Sequence, residues 1–409
     1  MLEYWLWLAH RPGIDEHMKV LLLQYFGSPQ GVYQAQPGEL AEVSGLTGAG
    51  RKALSDKNLS LYSAALERCR QDGIKILTYL DEQYPRRLKN IYHPPLVLYC
   101  KGTLPPFDSL PAIGVVGTRR CSAYGLAAAG RLGREISRCG GLVVSGLADG
   151  IDASAMKGAL QEGAATVGVL GCGADVVYPA CNRALFAQVE RCGCILSEFM
   201  PGTAGFKWNF PKRNRIISGL SLGVVIVEAP EGSGALHTAR FALEQGRDVF
   251  AVPGNIDIAT FAGSNRLLRE GAFPVTCGWD VMEEYTSLFP DKIRKAASPV
   301  RKAAESEPME KSPPKRKDAP PVPVKKDIDN SPQEAYIDVT NNIEGLSDRG
   351  RAIVACLAEG EKPVDQVISA TGIPSGLLLR ELTVLELSGT VVRLPGGRIR
   401  LGNQGRKNK

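Results

Sequence analysis

A doubly wound α/β sheet, mostly parallel, is the fold class that this 409-residue sequence predicts, and three observations predict it. From Ile74 onward, short apolar runs alternate with stretches of helical periodicity. The runs are near-continuous rather than alternating apolar with polar, which marks strands buried on both faces. Several of them lead straight into glycine-rich turns, and in such sheets the loops at the carboxyl ends of the strands carry the binding site.

Taken in order, residues 1–70 show helical spacing, as in Met18, Leu21, Leu22 and Tyr25, without strand-like alternation. A small helical domain is expected there, of SAM-like or helix-hairpin-helix-like type. Residues 40–48 have the composition of half a helix-hairpin-helix turn, in which glycines let backbone amides approach a phosphate. A glycine that caps one helix and starts the next explains the same residues more simply. Strands are then expected at 74–80, 113–116, 142–145, 166–170, 195–196, 224–227 and 249–252.

Three of the loops that follow these strands share a character. Val116 leads into Gly117-Thr118-Arg119, Val144 into Ser145-Gly146, and Leu170 into Gly171-Cys172-Gly173. Each exposes backbone amides near an expected helix start, which favours anionic oxygen. The dinucleotide fingerprint fails, because Arg119 stands where a second glycine should admit a pyrophosphate and Val176 replaces the last glycine of the third loop. No phosphate-binding loop ending in Gly-Lys-Ser/Thr is present. The acidic residues Asp149, Asp152 and Asp175 are read as turn and cap residues. Glu198 and Glu228 at strand ends are better candidates for chemistry, since residues 228–234 resemble the turns of lysine-decarboxylase-like nucleotide hydrolases.

The stretch Phe206-Lys207-Trp208-Asn209-Phe210-Pro211-Lys212-Arg213-Asn214-Arg215 mixes cations with aromatic rings. Cations meet phosphates and ring faces meet unpaired bases, so the mixture suits a nucleic-acid strand better than a small anion. A solvated helix start with Pro211 in its first turn is the competing account. The formal net charge of +6 does not decide the matter, because residues 111–289 hold sixteen basic and sixteen acidic side chains. Any anion site there comes from clustering.

Six motifs now stand together: Gly117-Thr118-Arg119 with Tyr124-Gly125; Ser145-Gly146 with Gly150-Ile151-Asp152; Gly171-Cys172-Gly173 with Tyr178-Pro179; Phe210 through Gly219; Gly246-Arg247 with Val252-Pro253-Gly254-Asn255; and Gly263-Ser264-Asn265 with Gly271-Ala272. In this order, over about 75–285, the chain resembles the DNA-processing protein A (DprA, or Smf) family. The resemblance implies an extended Rossmann fold that binds single-stranded DNA and loads the RecA recombinase during transformation. It also implies a homodimer joined through the later part of the sheet. Arg119, Lys207 and Arg213 match the family's basic pocket. With them, Gly117, Thr118, Ser145, Gly146, Gly171, Gly173, Phe210, Lys212, Asn214 and Arg215 are expected to contact DNA.

Beyond the sheet, a Lys- and Pro-rich stretch is expected to be a disordered linker. Three helices and a hairpin after it read as a winged helix, which many family members also carry. Its presumed recognition helix has Arg380 as sole cation beside Glu381 and Glu386, so duplex DNA and protein docking weigh equally. The expected division is 1–70 helical, 71–287 Rossmann-like, 288–342 linker, 343–403 winged helix and 404–409 basic tail.

Other classes are disfavoured. No apolar run reaches the ~20 residues of a membrane span, and the first residues lack a basic signal region, so a cytoplasmic location is expected. Ten scattered cysteines and four histidines make neither a disulfide framework nor a metal site. No cofactor and no catalytic residue is expected; the alternative is a nucleotide-processing enzyme built on the same sheet.

Overall fold

The computed structural model describes residues 1–296, 347–358, 360–373, 375–387, 390–394 and 398–402. They fall into two units, Met1–Ser306 and Glu307–Lys409, described here one at a time.

The first unit begins with six helices: α1 (Leu2–Ala9), α2 (Glu16–Phe26), α3 (Pro29–Gln34), α4 (Pro37–Glu42), α5 (Gly48–Ser55) and α6 (Ser60–Gln71). Local chemistry starts several of them. Asp15, Ser28 and Thr47 each accept a hydrogen bond from a first-turn amide, which satisfies a donor the helix cannot pair internally. At the suspected hairpin, Gly45 turns the chain at φ +82° and Thr47 caps α5, so these residues serve the simple capping role.

The sheet contains β1 (Lys75–Thr78), β2 (Val97–Gly102), β3 (Ala112–Val116), β4 (Leu142–Ser145), β5 (Thr166–Leu170), β6 (Cys194–Ser197), β7 (Gly223–Ile226), β8 (Asp248–Ala251) and β9 (Phe273–Pro274). A one-turn helix, α7 (Arg86–Lys89), lies between the first two strands. The crossovers carry α8 (Ala123–Arg138), α9 (Ile151–Gln161), α10 (Arg183–Cys192), α11 (Asn209–Leu220), α12 (Gly234–Glu244) and α13 (Ala262–Arg269), and α14 (Gly278–Met282) follows β9. Strand order is β1-β2-β6-β5-β4-β3-β7-β8-β9. Every pairing from β6 across to β9 is parallel, while β2 runs antiparallel to β6 and to β1. The expected run at 74–80 is thus an antiparallel edge strand, and β2 and β9 are additions to the expected seven.

Side chains from opposite faces of the strands form two cores. Ile113, Val115, Val143 and Val225 pack under α8, α9 and α14, while Val116, Val144, Val224 and Ile226 pack under α11 and α12. The N-terminal helices close a third core onto Val97 and Tyr99 of β2. The chain stays packed past the expected linker start at 288: Ile293 is buried in the first core and the Arg294 amide donates to the Cys139 carbonyl. Most of the expected linker, and the 404–409 tail, lie outside the described residues.

The second unit contains α15 (Asp348–Leu357), β10 (Lys362–Pro363), α16 (Val364–Thr371), α17 (Ser375–Leu387), β11 (Val391–Leu394) and β12 (Arg398–Leu401). The expected three helices and hairpin are present, and β10 adds a strand beside β12. Among the described residues no helix is long and apolar enough to cross a membrane, and no His, Cys, Asp or Glu cluster could hold a metal.

Candidate nucleic-acid interface

Strand β3 has β4 on one side and β7 on the other, so the connections leaving its carboxyl end and that of β7 part in opposite directions. Ligands of doubly wound sheets bind in the crevice this creates. Here it is a cleft of about 690 Å³, lined by the post-β3 residues Gly117, Thr118 and Arg119, by Lys207 and Phe210, and by Gly234 at the start of α12. The start of α9, which follows the glycine-containing turn at 146–150, contributes Asp152 to the lining.

Close approach explains the turn glycines. A Cβ on Gly146 would come within 2.5 Å of the Arg213 guanidinium and 2.6 Å of Asp152 Oδ2. One on Gly171 would sit 2.8 Å from the Phe210 ring, which packs against that backbone. The Gly117 and Gly146 amides donate to the Asp152 carboxylate at 3.4 and 3.1 Å. The Gly173 amide donates to the Thr203 carbonyl, and buried Ser145 ties β4 to β3 by donating to the Val115 carbonyl at 2.6 Å. Gly171, Gly173 and Ser145 therefore shape the cleft from behind.

The basic residues divide by burial. Arg119, Arg120 and Lys207 are exposed, line the cleft and have no ion-pair partner among the described residues. The Arg119 guanidinium lies 4.9 Å over the Phe210 ring centroid, a cation–π contact that fixes its place. Arg213 also borders the cleft but is only 4% exposed. Its guanidinium donates to the carbonyls of Gly146 and Val169 and to Asn214 Oδ1, joining the ends of β4 and β5 to α11. Burial pulls its pKa down to about 10, against the opposing pull of Asp152, so it remains charged at neutral pH. Burial pushes the Asp152 carboxyl up, opposed by Arg213 and by the amides it accepts from.

Two of the expected contact residues point elsewhere. Arg215 is buried in a two-pronged pair with Glu198, at 2.7 and 3.1 Å. Lys212 reaches Glu16 of α2 at 2.8 Å and Glu198 at 3.7 Å. Asn214 spans the elements, accepting from Arg213 and donating to the Gly234 carbonyl at 3.1 Å. Neither Lys212 nor Arg215 borders the cleft. The helix start is solvated as the competing account expects, with Pro211 and Lys212 exposed in its first turn, while α11 lies against the sheet from Arg213 onward.

Aromatic rings flank the free cations. Phe206 and Trp208 stack face to face, 4.8 Å apart and 4° from parallel, while 46% and 71% exposed. Phe210 is half-buried, with Tyr178 at 5.3 Å. The acidic candidates are occupied by structure. Fully buried Glu228 accepts from the Ser122 amide and hydroxyl and from the Thr260 hydroxyl, binding together the loops after β3, β7 and β8. Asp175 pairs with Arg68 at 2.5 Å and accepts from the Gly202 amide. Cleft residues that composition did not single out are Arg120, Thr238 and Thr260. Arg120 adjoins Arg119 and could have been read with it; the two threonines carry no sequence signal of their own.

Fold and cleft together define a Rossmann-like protein with free cations at its switch point. The chain belongs to the DprA/Smf family of DNA-processing proteins. The family model for DNA recombination-mediator protein A matches residues 75–286, and the DprA winged helix domain matches 340–397. The sequence is 32% identical to Protein Smf of Synechocystis sp. over 97% of each chain. It is 43% identical to DNA processing protein DprA of Bacillus subtilis, over 53% of this chain and 72% of that one. The fold is similar to the X-ray structure of DprA from Streptococcus pneumoniae, with a TM-score of 0.62, 35% identity, and coverage of 69% of this chain and 98% of that one.

Proposed function

We propose that the cleft binds single-stranded DNA and that the protein, without catalysing a reaction, delivers the strand to a RecA-type recombinase. One observation carries the binding: Arg119 and Lys207, without an ion-pair partner among the described residues, line the cleft, Arg119 over the Phe210 ring and Lys207 next in sequence to both members of the exposed Phe206–Trp208 stack. Phosphates meet Arg119, Arg120 and Lys207, and Thr118 and the helix starts add neutral donors. Bases stack on the exposed rings, a sequence-tolerant attachment that duplex DNA does not offer. Arg213 contributes positive potential from beneath without reaching the strand. Delivery to the recombinase, and a homodimer presenting two clefts to one strand, rest on family membership.

The chain is read as a helical domain, a Rossmann-like domain ending after Ile293, a linker, a winged helix that contacts duplex DNA or protein, and a basic tail. A nucleotide-processing reading has less support, because the Glu228 carboxylate is already taken up by Ser122 and Thr260. Strand exchange by the recombinase, on DNA precoated with a competing single-strand-binding protein, tests the proposal. The full chain should restore exchange, and the Arg119→Ala/Lys207→Ala variant should not. Restoration by both proteins, or nucleotide turnover that depends on Glu228, would overturn it.

A further inference from the structure

The N-terminal helices reach the segment that carries Lys207 through one ion pair. Phe206, Lys207 and Trp208 lie between β6 and α11, and the chain is fixed at a turn a few residues ahead of them. There Gly202 turns at φ +82° and its amide donates to Asp175 Oδ1 at 2.8 Å. Thr203 is tied to the same loop, its carbonyl accepting from the Gly173 amide at 2.9 Å. The second oxygen of the Asp175 carboxylate is buried and is met only by Arg68 Nη2 of α6, at 2.5 Å. The same guanidinium lies against the turn: a Cβ on Gly202 would come within 2.7 Å of Arg68 Nη1.

The Asp175 side chain is 6% exposed, and no other cation pairs with it among the described residues. Without Arg68, the carboxylate would turn out to water or take up a proton, and either change weakens its hold on the Gly202 amide. Ala174 and Met200 pack into the core of the N-terminal helices, so both loops are seated on those helices as well. A turn freed at Gly202 leaves Lys207 and the ring stack anchored from the α11 side, where Asn209 donates to the Gly171 carbonyl at 3.0 Å.

We propose that Arg68 is a positioning residue for DNA binding: it fixes Asp175, Asp175 fixes Gly202, and the turn presents Lys207 and the Phe206–Trp208 stack to the strand. The proposal rests on the cleft reading above. Arg68 does not line the cleft, so it acts without touching DNA. A solvated ion pair would contribute little to anything, and a plain staple between helices and sheet would act on stability alone.

The test uses the full chain as Arg68→Gln and as Arg68→Gln/Asp175→Asn, read by oligothymidine titration and by amide hydrogen exchange. With the turn in place about a fifth of the time, Arg68→Gln should bind about fivefold more weakly. Amides of residues 198–208 should exchange faster, while those of the Arg119 loop should not. Adding Asp175→Asn should restore both, because a neutral amide oxygen accepts from Gly202 without a counterion. In a Lys207→Ala/Trp208→Ala background, Arg68→Gln should cost little further, since the groups it positions are gone. Unchanged affinity, the same fivefold loss in that background, or faster exchange throughout the chain without recovery by Asp175→Asn would overturn the proposal. Wild-type binding by Lys207→Ala/Trp208→Ala would sink the cleft reading separately, and exchange at 198–208 would still decide whether Arg68 sets the turn.

Discussion

Arg213→Met should cost the fold, not merely the site. The substitution keeps the apolar stem but leaves the buried carbonyls of Gly146 and Val169 without their donor and removes the cation nearest Asp152. Each unsatisfied buried acceptor costs ~1–3 kcal/mol, and breaking a buried charged arrangement from one side typically costs ~3–5 kcal/mol. At ~2 °C per kcal/mol for a domain of this size, the melting point should fall by roughly 6–10 °C. The deficit should depend on pH with a definite sign. Burial raises the folded-state pKa of Asp152 above its ordinary value, so its ionised form costs stability once pH exceeds the unfolded value; without Arg213 the rise is larger. The difference between variant and wild type should therefore be greatest near neutrality and shrink as acid protonates Asp152. Adding Asp152→Asn to the variant should recover part of the loss. Calorimetry or circular dichroism across about pH 5–8 measures this. An unchanged melting point throughout would mean that Arg213 behaves as a solvated cation.

Arg119→Ala with Lys207→Ala should flatten the salt dependence of oligothymidine binding by ~1.4 units, at ~0.7 per phosphate, and leave the melting point alone. An unchanged slope would place the DNA path elsewhere. Trp208→Ala should weaken binding by ~1–3 kcal/mol per stacked base with little change in slope; a lower melting point in its place would make the ring a packing residue. Residues 1–296 expressed alone should fold by circular dichroism and bind single strands, losing only what the linker, winged helix and tail add. An insoluble product would contradict that independence. Sedimentation of the full chain without DNA should show a dimer, and a monomer at all concentrations would remove the avidity expected of two clefts on one particle.

The strands that sequence made visible are those sandwiched between helix layers, because burial on both faces demands unbroken apolar runs. Strand β2 escaped for a topological reason. It follows Pro94-Pro95 and a one-turn helix, so the strand-helix rhythm passes over it, and its antiparallel pairing needs no crossover. Strand β9 has two residues, one of them proline, and leaves no periodic trace. The loops that build the cleft were legible as glycine-rich turns after strands. The fates of Lys207, Lys212, Arg213 and Arg215 were not, since a cation reads the same whether solvated or buried. The partners of Lys212 and Arg213 lie far away in sequence: Gly146 is 67 residues from Arg213, and Glu16 is 196 residues from Lys212.

Strand β2 also ties the first unit into one cooperative body. Its successive residues face alternate sides: Val97 and Tyr99 enter the core closed by the N-terminal helices, while Leu98 and Cys100 enter a core of the sheet. Neither core can melt without stripping one face of the strand the other depends on, so the N-terminal helices are not a bead that can be clipped off. Heat should remove helices and sheet in a single calorimetric step. A chain shortened at about residue 70 would expose a fresh apolar strand face, inviting association with whatever next meets it.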